Sequence, residues 1–465
     1  MQSYDAVVVG GGISGLSAAY ALRRRGLNVL VVEAGHAVGG TMRSEVTPDG
    51  FVLDFGPNTV ASKDPALWQE FAALGIEGER MAADRRGGRR FILLNGKPAL
   101  IPTSPPQLLT SPLLTTAAKL RMLAEPLLPR AAAADESVAA FFARRLGRAP
   151  AERLVDPFVS GVYGGDPHAT SMRAAFPTLW AAEQRAGSLL VGMLTAPRGP
   201  RRAKGEPRPR NVLFSFPEGL AAWPRAYARA LGSEHVWTDA KATRLRPADG
   251  AWQLTVERGG RTSTVEADTV VLATPAYVTA GLVERLDAGA AAALRGIPYA
   301  PMAVVHLGYD RARVAHPLDG FGLLCPAVER RKVLGILWPT SLFPERAPEG
   351  AVLTTSFVGG SRMAALAALG DEALIALTRS EHEAILGASG APRMARVTRW
   401  SQAIPQYVAG HSGRVAALGG LEARWPGLHL LGNYRGGVSV AACWRSGVAL
   451  GERIAAQQHE ARGVV

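Results

Sequence analysis

Glycines near the N-terminus form the first group of residues in this chain whose types and spacing could do chemistry. An apolar segment leads into a G-x-G-x-x-G turn, which consists of Gly10, Gly11, Gly12, Ile13, Ser14 and Gly15. The first glycine permits a tight turn, the second lets the backbone approach a pyrophosphate, and the third lets helix and strand pack closely. Because the first N–H groups of the next helix have no partners within that helix, they can bind phosphate oxygens.

Glu33 supplies a second element of the same chemistry. It follows the apolar segment 27–32, where a carboxylate can accept hydrogen bonds from ribose hydroxyls and would repel a 2′-phosphate. A glycine triplet alone occurs in many strand-to-helix turns, but here the strand, the helix and the acidic residue occur in the right order. The sequence therefore predicts a dinucleotide site, and this pattern leaves FAD and NAD both open.

Apolar and amphipathic segments alternate in a way that would position this site. The first forty residues predict a βαβ unit, and the C-terminal pattern resembles a last Rossmann crossover. The stretch 98–210 is rich in Leu, Ala, Pro and Arg and predicts a mostly helical insertion, which includes an amphipathic run over 114–128. Strands are predicted at 4–9, 27–32, 262–273, 302–309, 351–358 and 428–431, and helices at 14–25, 363–385 and 447–458.

Composition and charge exclude several classes of protein. The 465 residues are 48% hydrophobic and 20% charged, which excludes a single small domain and a disordered chain. The two cysteines, Cys325 and Cys443, predict neither a disulfide framework nor a zinc site. The net charge of +13 suits anionic partners. We expect no nucleic-acid binding because no basic helix with interleaved aromatics occurs, and a cytoplasmic location because the N-terminus shows no targeting pattern.

Further glycine-rich stretches carry a family resemblance. Gly39 to Arg43 and Gly56 to Thr59 resemble flavin-facing segments of flavin amine oxidases and porphyrinogen oxidases. Residues 399–407 read RWSQAIPQY and are followed by Gly410 and His411, which resembles a long motif of the protoporphyrinogen oxidases. Residues 427–440 read GLHLLGNYRGGVSV and resemble the closing flavin motif of that family. The chain is similar to this family over nearly its whole length.

The resemblance implies that the dinucleotide is FAD. It places the backbone of 438–440 against the flavin, and Arg43 is either a phosphate contact or a surface arginine. Asn58 departs from some relatives, which have arginine there, so the polar contacts beside the flavin would differ. The implied cofactor residues are Gly10, Gly11, Gly12, Ile13, Ser14, Gly15, Glu33, Gly40, Thr41, Arg43, Gly56, Pro57, Asn58, Thr59, Ala242, Val438, Ser439 and Val440.

The resemblance also implies a substrate cavity for a large apolar macrocycle with carboxylate side chains. Such a ligand needs apolar walls and one or two cations. Arg90 would pair with a propionate, and Phe321 and Leu324 would enclose the macrocycle. The implied substrate residues are Arg90, Gly161, Phe321, Gly322, Leu324, Leu337 and Phe357.

The implied activity is oxidation of protoporphyrinogen IX to protoporphyrin IX in heme biosynthesis. Six electrons would leave in three flavin cycles, each of which reduces O₂ to H₂O₂. Coproporphyrinogen III is the alternative substrate, and another flavin oxidase, such as an amine oxidase or a carotenoid desaturase, is the alternative enzyme. No residue is assigned as a base, because His306 and His411 are lone histidines that we expect to be packed and hydrogen-bonded.

The resemblance assigns the domains and suggests a membrane contact. The leucine-rich run 113–128 fits either an interfacial element on the inner face of the cell membrane or packing against the substrate domain. The choice between a monomer and a homodimer stays open. We expect an FAD-binding domain from 1–85, 211–290 and 411–465, a substrate domain from 86–97 and 291–410, and the helical insertion at 98–210.

Overall fold

The computed structural model describes residues 2–130, 135–196 and 211–463. The Pro- and Arg-rich segment 197–210, for which the sequence predicts an irregular loop, lies outside the described residues. The mixed α/β architecture predicted from the sequence is confirmed, with two seven-stranded sheets and a group of helices. The predicted elements begin and end within a few residues of the observed ones in most cases.

The strands and helices are numbered in chain order. The strands are β1 (Gln2–Val9), β2 (Val29–Val32), β3 (Ser44–Val46), β4 (Val52–Asp54), β5 (Val60–Ser62), β6 (Met81–Ala82), β7 (Arg90–Leu94), β8 (Lys97–Leu100), β9 (Val212–Ser215), β10 (Val236–Trp237), β11 (Ala240–Ala248), β12 (Ala251–Arg258), β13 (Arg261–Leu272), β14 (Tyr299–Asp310), β15 (Gly322–Leu324), β16 (Gly335–Leu337), β17 (Ala351–Gly359), β18 (Met394–Pro405) and β19 (Leu428–Leu430). The helices are α1 (Ile13–Arg24), α2 (Pro65–Ala73), α3 (Pro105–Thr110), α4 (Thr116–Leu123), α5 (Val138–Leu146), α6 (Arg148–Pro150), α7 (Asp156–Tyr163), α8 (Met172–Ala175), α9 (Pro177–Ala186), α10 (Leu189–Leu194), α11 (Ala222–Leu231), α12 (Ala276–Val283), α13 (Ala288–Arg295), α14 (Pro339–Leu342), α15 (Ala364–Ala367), α16 (Asp371–Leu386), α17 (His411–Arg424) and α18 (Val440–Ala461).

The first sheet carries the predicted βαβ unit. Its strand order is β10-β2-β1-β13-β12-β11, and β19 pairs with the C-terminal half of β13. Strands β10, β2, β1, β13 and β19 run parallel, whereas β11 and β12 form an antiparallel extension. β2 reads Val-Leu-Val-Val and is buried throughout, as expected for a parallel strand that is covered on both faces.

Two glycines let the last helix cross the first one at very short distance. A Cβ atom at Gly447 would lie 2.1 Å from Ser17 Oγ and 2.3 Å from Ser14 O, and one at Gly451 would lie 2.6 Å from Ala18 O. No larger residue fits there without displacing α1. The helix begins at Val440, earlier than the predicted 447, because Ser439 caps it by accepting a hydrogen bond from the main-chain N–H of Ala442.

The second sheet has the order β18-β14-β17-β16-β15-β7-β8 and is antiparallel except for the β7–β15 pair. Side chains of one face, such as Leu323, Ile336 and Val358, form a buried core, and this core includes Leu374 and Ile385 of α16. Because side chains alternate along a strand, the neighbours of these residues point to the opposite face. That opposite face is the one that carries the predicted substrate residues.

Helices α3 to α10 occupy the described part of the region 98–196. Their interior contains a buried ionic cluster, in which Arg145 Nε lies 3.2 Å from Glu125 Oε1 and 2.8 Å from Glu183 Oε1. Glu125 also accepts hydrogen bonds from the main-chain N–H groups of Leu189 and Leu190 at the start of α10. The amphipathic run predicted over 114–128 is only partly helical, since α4 ends at Leu123 and a single 3₁₀ turn follows over Glu125–Leu127.

Candidate functional site

The glycine turn between β1 and α1 is closed on two sides and open on the third. Gly10 has φ of +110°, and a Cβ there would lie 2.6 Å from Ala273 O. A Cβ at Gly15 would lie 2.1 Å from Gly10 O, whereas a Cβ at Gly12 would meet no atom within 4 Å. The backbone at Gly12 can therefore be approached from outside, as a pyrophosphate requires.

Glu33 is held beside this turn at the end of β2. Its Oε2 accepts a hydrogen bond from Gly11 N at 2.7 Å, and its Oε1 accepts one from Gly35 N at 2.7 Å. No side chain caps the start of α1, and no acidic residue lies in its first turn. An uncapped helix start attracts phosphate, and the nearby carboxylate has lone pairs left for ribose hydroxyls. These residues fit a dinucleotide.

The segments 39–43 and 56–59 adjoin this turn. Gly39 N donates to Gly11 O at 2.8 Å. Gly40 has φ of +60° and faces Gly12, since a Cβ at Gly40 would lie 3.4 Å from Gly12 Cα. A Cβ at Gly56 would lie 2.3 Å from Thr41 O, which joins the two segments. Pro57, Asn58 and Thr59 follow and are all partly buried.

Arg43 lies between the glycine segments and the second sheet. Its Nε donates to Gly40 O at 3.1 Å, and its guanidinium lies 5.5 Å from the centre of the Trp400 ring. Trp400 in turn donates from Nε1 to Phe55 O at 2.8 Å. Arg43 Nη2 also lies 3.8 Å from the position of a Cβ at Gly35, whose N–H binds Glu33, so a phosphate contact by Arg43 stays a prediction.

The remaining predicted cofactor residues lie at the same edge of the first sheet or beside it. Val438, Ser439 and Val440 lead into α18, and Cys443 Sγ donates to Gly437 O at 3.7 Å. Since α18 crosses α1 near Ser14, this loop lies beside the glycine turn. Ala242 is on β11. The first residue of this strand lies beside Glu33, because Ala240 N donates a hydrogen bond to Glu33 O at 2.9 Å.

Strand pairing brings the predicted substrate residues to one face of the second sheet. Gly322 pairs with both Arg90 and Leu337, and Leu324 and Phe357 both pair with Gly335. Leu324, Leu337 and Phe357 therefore point to the same side, and each is only partly buried. Three incompletely covered apolar side chains in a row form one wall of a cavity.

Arg90 and Gly161 border this wall. The Arg90 side chain is exposed, and its guanidinium lies 5.1 Å from the centre of the Phe321 ring. On α7, a Cβ at Gly161 would lie 2.4 Å from Leu324 Cδ2, so a larger residue there would require the Leu324 side chain to move. The structure thus brings all seven predicted substrate residues together.

A small cavity joins the predicted flavin loop to the predicted substrate wall. Asn58 and Thr59 line one side of it, and Phe321 and Leu337 line the other. The sequence interpretation missed several residues that complete it. These are Val52, Asp54, Pro339, Leu342, Phe343, Arg346, Leu353 and Thr355.

Asp54 and Arg346 form a buried ion pair at this cavity. Arg346 Nη2 lies 3.1 Å from Asp54 Oδ2, while Asp54 Oδ1 accepts hydrogen bonds from Ser44 Oγ at 2.6 Å and Leu220 N at 2.8 Å. Burial raises the pKa of the Asp54 carboxyl, and the Arg346 charge opposes that rise. Nη1 of Arg346 has no hydrogen-bond partner among the described residues. In the sequence, the one sign of this pair is that Asp54 is a single aspartate within an apolar strand.

The two histidines weighed as bases are both buried. His306 Nε2 donates to Asp54 O at 3.1 Å, and burial lowers the pKa of His306 to about 4. His411 Nε2 donates to Tyr434 O at 2.9 Å, and burial lowers its pKa as well. Because these protons are committed to carbonyl oxygens, the geometry favours packing roles for both rings.

Comparison with known proteins identifies the class. A family model described as flavin containing amine oxidoreductase matches residues 13–455. The chain therefore belongs to the flavin containing amine oxidoreductases, and FAD is its cofactor.

Sequence relatives narrow the class and confirm the predicted resemblance. The chain is 34% identical to the mitochondrial protoporphyrinogen oxidase of Nicotiana tabacum, over 95% of this chain and 92% of that protein. It is 33% identical to the protoporphyrinogen oxidase of Bos taurus, over 96% of this chain and 98% of that protein. Within the flavin family, the chain belongs with the protoporphyrinogen oxidases. It is also 27% identical to the coproporphyrinogen III oxidase of Bacillus subtilis (strain 168), over 95% of this chain and 96% of that protein.

Solved structures agree on the fold. A structure from Exiguobacterium sp. 255-15, described as a presumed protoporphyrinogen oxidase, has a TM-score of 0.80 at 25% identity and covers 98% of this chain and 99% of its own. The cyclohexylamine oxidase of Brevibacterium oxydans IH-35A has a TM-score of 0.69 at 20% identity, over 98% of this chain and 99% of its own. The second similarity shows the shared fold alone.

The buried pair leads to a prediction about stability. We expect Arg346→Met to lower the free energy of unfolding by about 3–5 kcal/mol, because it leaves the Asp54 carboxylate buried without its counter-ion. Urea denaturation measures this loss. Arg393→Met is the control, since Arg393 and Asp310 pair at 3.1 Å with side chains about half exposed, and its cost should be about 0–1 kcal/mol. Equal losses in the two variants would contradict the assigned burial of the Asp54 charge.

Proposed function

We propose that this protein oxidises protoporphyrinogen IX to protoporphyrin IX with FAD and O₂, as a step of heme biosynthesis. The observation that carries the proposal is that Asn58 and Thr59 line the same small cavity as Phe321 and Leu337. It joins the loop assigned to the flavin to the wall assigned to the macrocycle. The similarity to protoporphyrinogen oxidases from plants and cattle supports the same substrate.

The chain's own residues would bind and orient the substrate. Bound FAD supplies the two-electron acceptor chemistry that no amino-acid side chain can provide. Leu324, Leu337 and Phe357 offer an apolar surface for the macrocycle, and Arg90 at the edge of the wall can pair with a propionate. His306, on the strand next to β17, donates its Nε2 proton to Asp54 O, so we assign the protein the task of orientation and no side chain the task of proton transfer.

Coproporphyrinogen III is a second candidate substrate. The similarity to the Bacillus subtilis coproporphyrinogen III oxidase favours it, although the identity is lower than to the protoporphyrinogen oxidases. Its four carboxylates would require more cations at the cavity edge than Arg90 supplies. Protoporphyrinogen IX, with two carboxylates, matches the observed set better.

Anaerobic reduction of the bound flavin tests the proposal. Purified holoenzyme is mixed without O₂ with protoporphyrinogen IX or with coproporphyrinogen III, and the flavin absorbance is followed. We expect rapid bleaching with protoporphyrinogen IX and slower bleaching with coproporphyrinogen III, followed by recovery of the absorbance and H₂O₂ release when O₂ is admitted. Faster bleaching by coproporphyrinogen III would reverse the order of the candidates, and no bleaching by either would refute the function.

Arg90 gives a prediction about substrate binding. We expect Arg90→Ala to raise KM by about tenfold or more with little change in kcat, because a charge-assisted contact far from the reacting carbons stabilises ground and transition states alike. Arg258→Ala is the matched control, since Arg258 lies over the Trp237 ring at 5.4 Å on the other sheet. It should leave both constants unchanged. A loss confined to kcat would rule out propionate binding by Arg90.

We further propose that the helical region contacts a membrane surface. Leu120, Leu123 and Leu127 of the α4 segment and Met193 and Leu194 of α10 are exposed, Leu127 and Leu194 by 86% and 80%. The buried Glu125 binds the start of α10, so the two apolar segments are held together. The sequence that follows α10 carries six Lys and Arg residues within 198–210, which suits anionic lipid headgroups. Among the described residues, no helix combines the length and apolarity needed to cross a bilayer.

Vesicle binding tests this contact. We expect the protein to co-sediment with vesicles that contain anionic lipid at low salt, and the double variant Leu127→Asp/Leu194→Asp to lose most of this binding because it places charge in the apolar face. Val46→Asp/Val278→Asp is the control, since both valines are exposed outside the helical region. Equal binding by the wild type and the Leu127→Asp/Leu194→Asp variant would exclude the proposed surface.

A further inference from the structure

Residues 400–411 bond to both loops that we assign to the flavin. Near the start of this segment, Trp400 Nε1 donates to Phe55 O at 2.8 Å, directly before the loop 56–59. Near its end, Tyr407 and His411 bond to the loop that precedes α18. The two stretches that resemble family motifs therefore form one structural unit, although the resemblance itself assigns no task to these side chains.

Tyr407 bridges the loop that precedes α18. Its hydroxyl donates to Asn433 O and accepts a hydrogen bond from Gly437 N at 3.1 Å. The side chain is buried, with 5% of the residue exposed, so each of these bonds replaces a bond to water. A single oxygen atom thus fixes the two ends of the glycine-rich stretch 433–437.

His411 supports the same loop from the other side. Its ring stacks on Tyr407 with centres 4.2 Å apart and planes inclined by 15°. Its Nε2 donates to Tyr434 O at 2.9 Å, and since a carbonyl only accepts, Nε2 carries the proton. The two side chains together satisfy main-chain groups of Asn433, Tyr434 and Gly437.

The loop needs such external partners because its own backbone supplies few. Gly436 and Gly437 are adjacent glycines, and Gly437 has φ of +113°, so this backbone has wide conformational freedom when unbound. Hydrogen bonds from fixed side chains remove that freedom before a ligand arrives. A loop ordered in advance binds its ligand more tightly, because less conformational entropy is lost on binding.

The same segment also contacts the substrate side. Gln406 Nε2 donates to Tyr163 O at 2.8 Å, at the end of α7, which carries Gly161. Tyr407 O accepts a hydrogen bond from Ser171 N at 2.7 Å, and this bond joins the helical region to the segment 400–411. Neighbouring residues of one segment therefore hold the proposed substrate helix and the proposed flavin loop.

We propose that Tyr407 and His411 are positioning residues that set the backbone of 437–440 for the flavin, and that Gln406 sets α7 relative to it. The inference rests on the proposed contact of 438–440 with the flavin. It assigns no bond-making step to any of the three side chains. They act on the cofactor through the loop backbone and on the substrate through α7.

Tyr407→Phe tests the role of the bridge, because it keeps the stacked ring and removes only the hydroxyl. We expect the dissociation constant of FAD from the apoprotein, measured by quenching of flavin fluorescence, to rise about tenfold, since two main-chain groups lose a fixed partner. The visible circular dichroism of the bound flavin should change. In FAD-saturated enzyme, kcat should fall while KM for the porphyrinogen stays within about twofold.

Tyr227→Phe is the matched control. The Tyr227 hydroxyl is also buried and also bridges two groups, donating to Glu70 Oε1 at 2.7 Å and accepting from Trp444 Nε1 at 3.1 Å. We expect Tyr227→Phe to lower the midpoint of unfolding about as much as Tyr407→Phe does. Its FAD affinity and flavin dichroism should stay close to those of the wild type, because its partners Glu70 and Trp444 belong to α2 and α18 and not to the loop 433–437.

Two more variants test the other parts of the proposal. His411→Phe keeps a flat ring but loses the donor to Tyr434 O, and its effect on FAD affinity should be less than additive with that of Tyr407→Phe, because both act on one loop. His411→Gln restores an N–H donor and should recover part of the loss. Gln406→Ala should raise KM for the porphyrinogen more than it changes FAD affinity.

The outcomes separate this inference from the proposed function. Unchanged FAD affinity and dichroism in Tyr407→Phe, with only a lowered unfolding midpoint as in Tyr227→Phe, would reduce Tyr407 to a packing role and overturn the inference. If Tyr407→Phe alters flavin binding but no porphyrinogen reduces the flavin of the wild-type enzyme, the inference stands and the proposed function is refuted. Additive effects of Tyr407→Phe and His411→Phe would overturn the shared role.

Discussion

The buried carboxylate of Asp54 is the contact on which the relation between the two sheets depends. Oδ1 binds Ser44 Oγ and Leu220 N from the nucleotide side, Oδ2 faces Arg346, and the main-chain oxygen accepts from His306 on β14. A charge without these partners would be costly in this interior, so the set has one favourable arrangement. Asp54 and Arg346 line the same small cavity as Asn58 and Thr59 of the loop and Leu337 of the apolar wall.

In the proposed site, the apolar wall and the loop 56–59 have different roles. Leu324, Leu337 and Phe357 stay partly uncovered on a rigid sheet, where an apolar ligand can gain from their burial. Arg90 adds a cation at the edge, where water can still reach a carboxylate. In the proposed function the chain orients its ligands and no side chain transfers a proton, so the fit between the loop 56–59 and the apolar wall would decide how well the site works.

The helical region contains a buried ionic cluster beside its apolar core, and it exposes several apolar side chains. Arg145 and Glu125 are fully buried, while Leu127 and Leu194 are exposed. Because Glu125 bonds to the start of α10, the ionic cluster fixes the position of the exposed apolar segments.

The sequence by itself determined the βαβ unit with Gly10 to Gly15 and Glu33, because glycine spacing and apolar strands are local properties. The resemblance added the flavin and the family, which the comparisons confirmed. Local pattern also predicted β7, β14 and β17 of the second sheet, but it predicted no strand at β15, β16 or β18. It started α18 too late and extended one amphipathic run past the end of α4, since caps and turns are weak signals. Only tertiary structure decided the pairing of Asp54 with Arg346 and the bridge made by Tyr407. Asp54 and Arg346 lie in distant parts of the sequence, and Tyr407 lies 26 and 30 positions before its two partners, so no local pattern links these residues. Each partner alone has an ordinary local sequence.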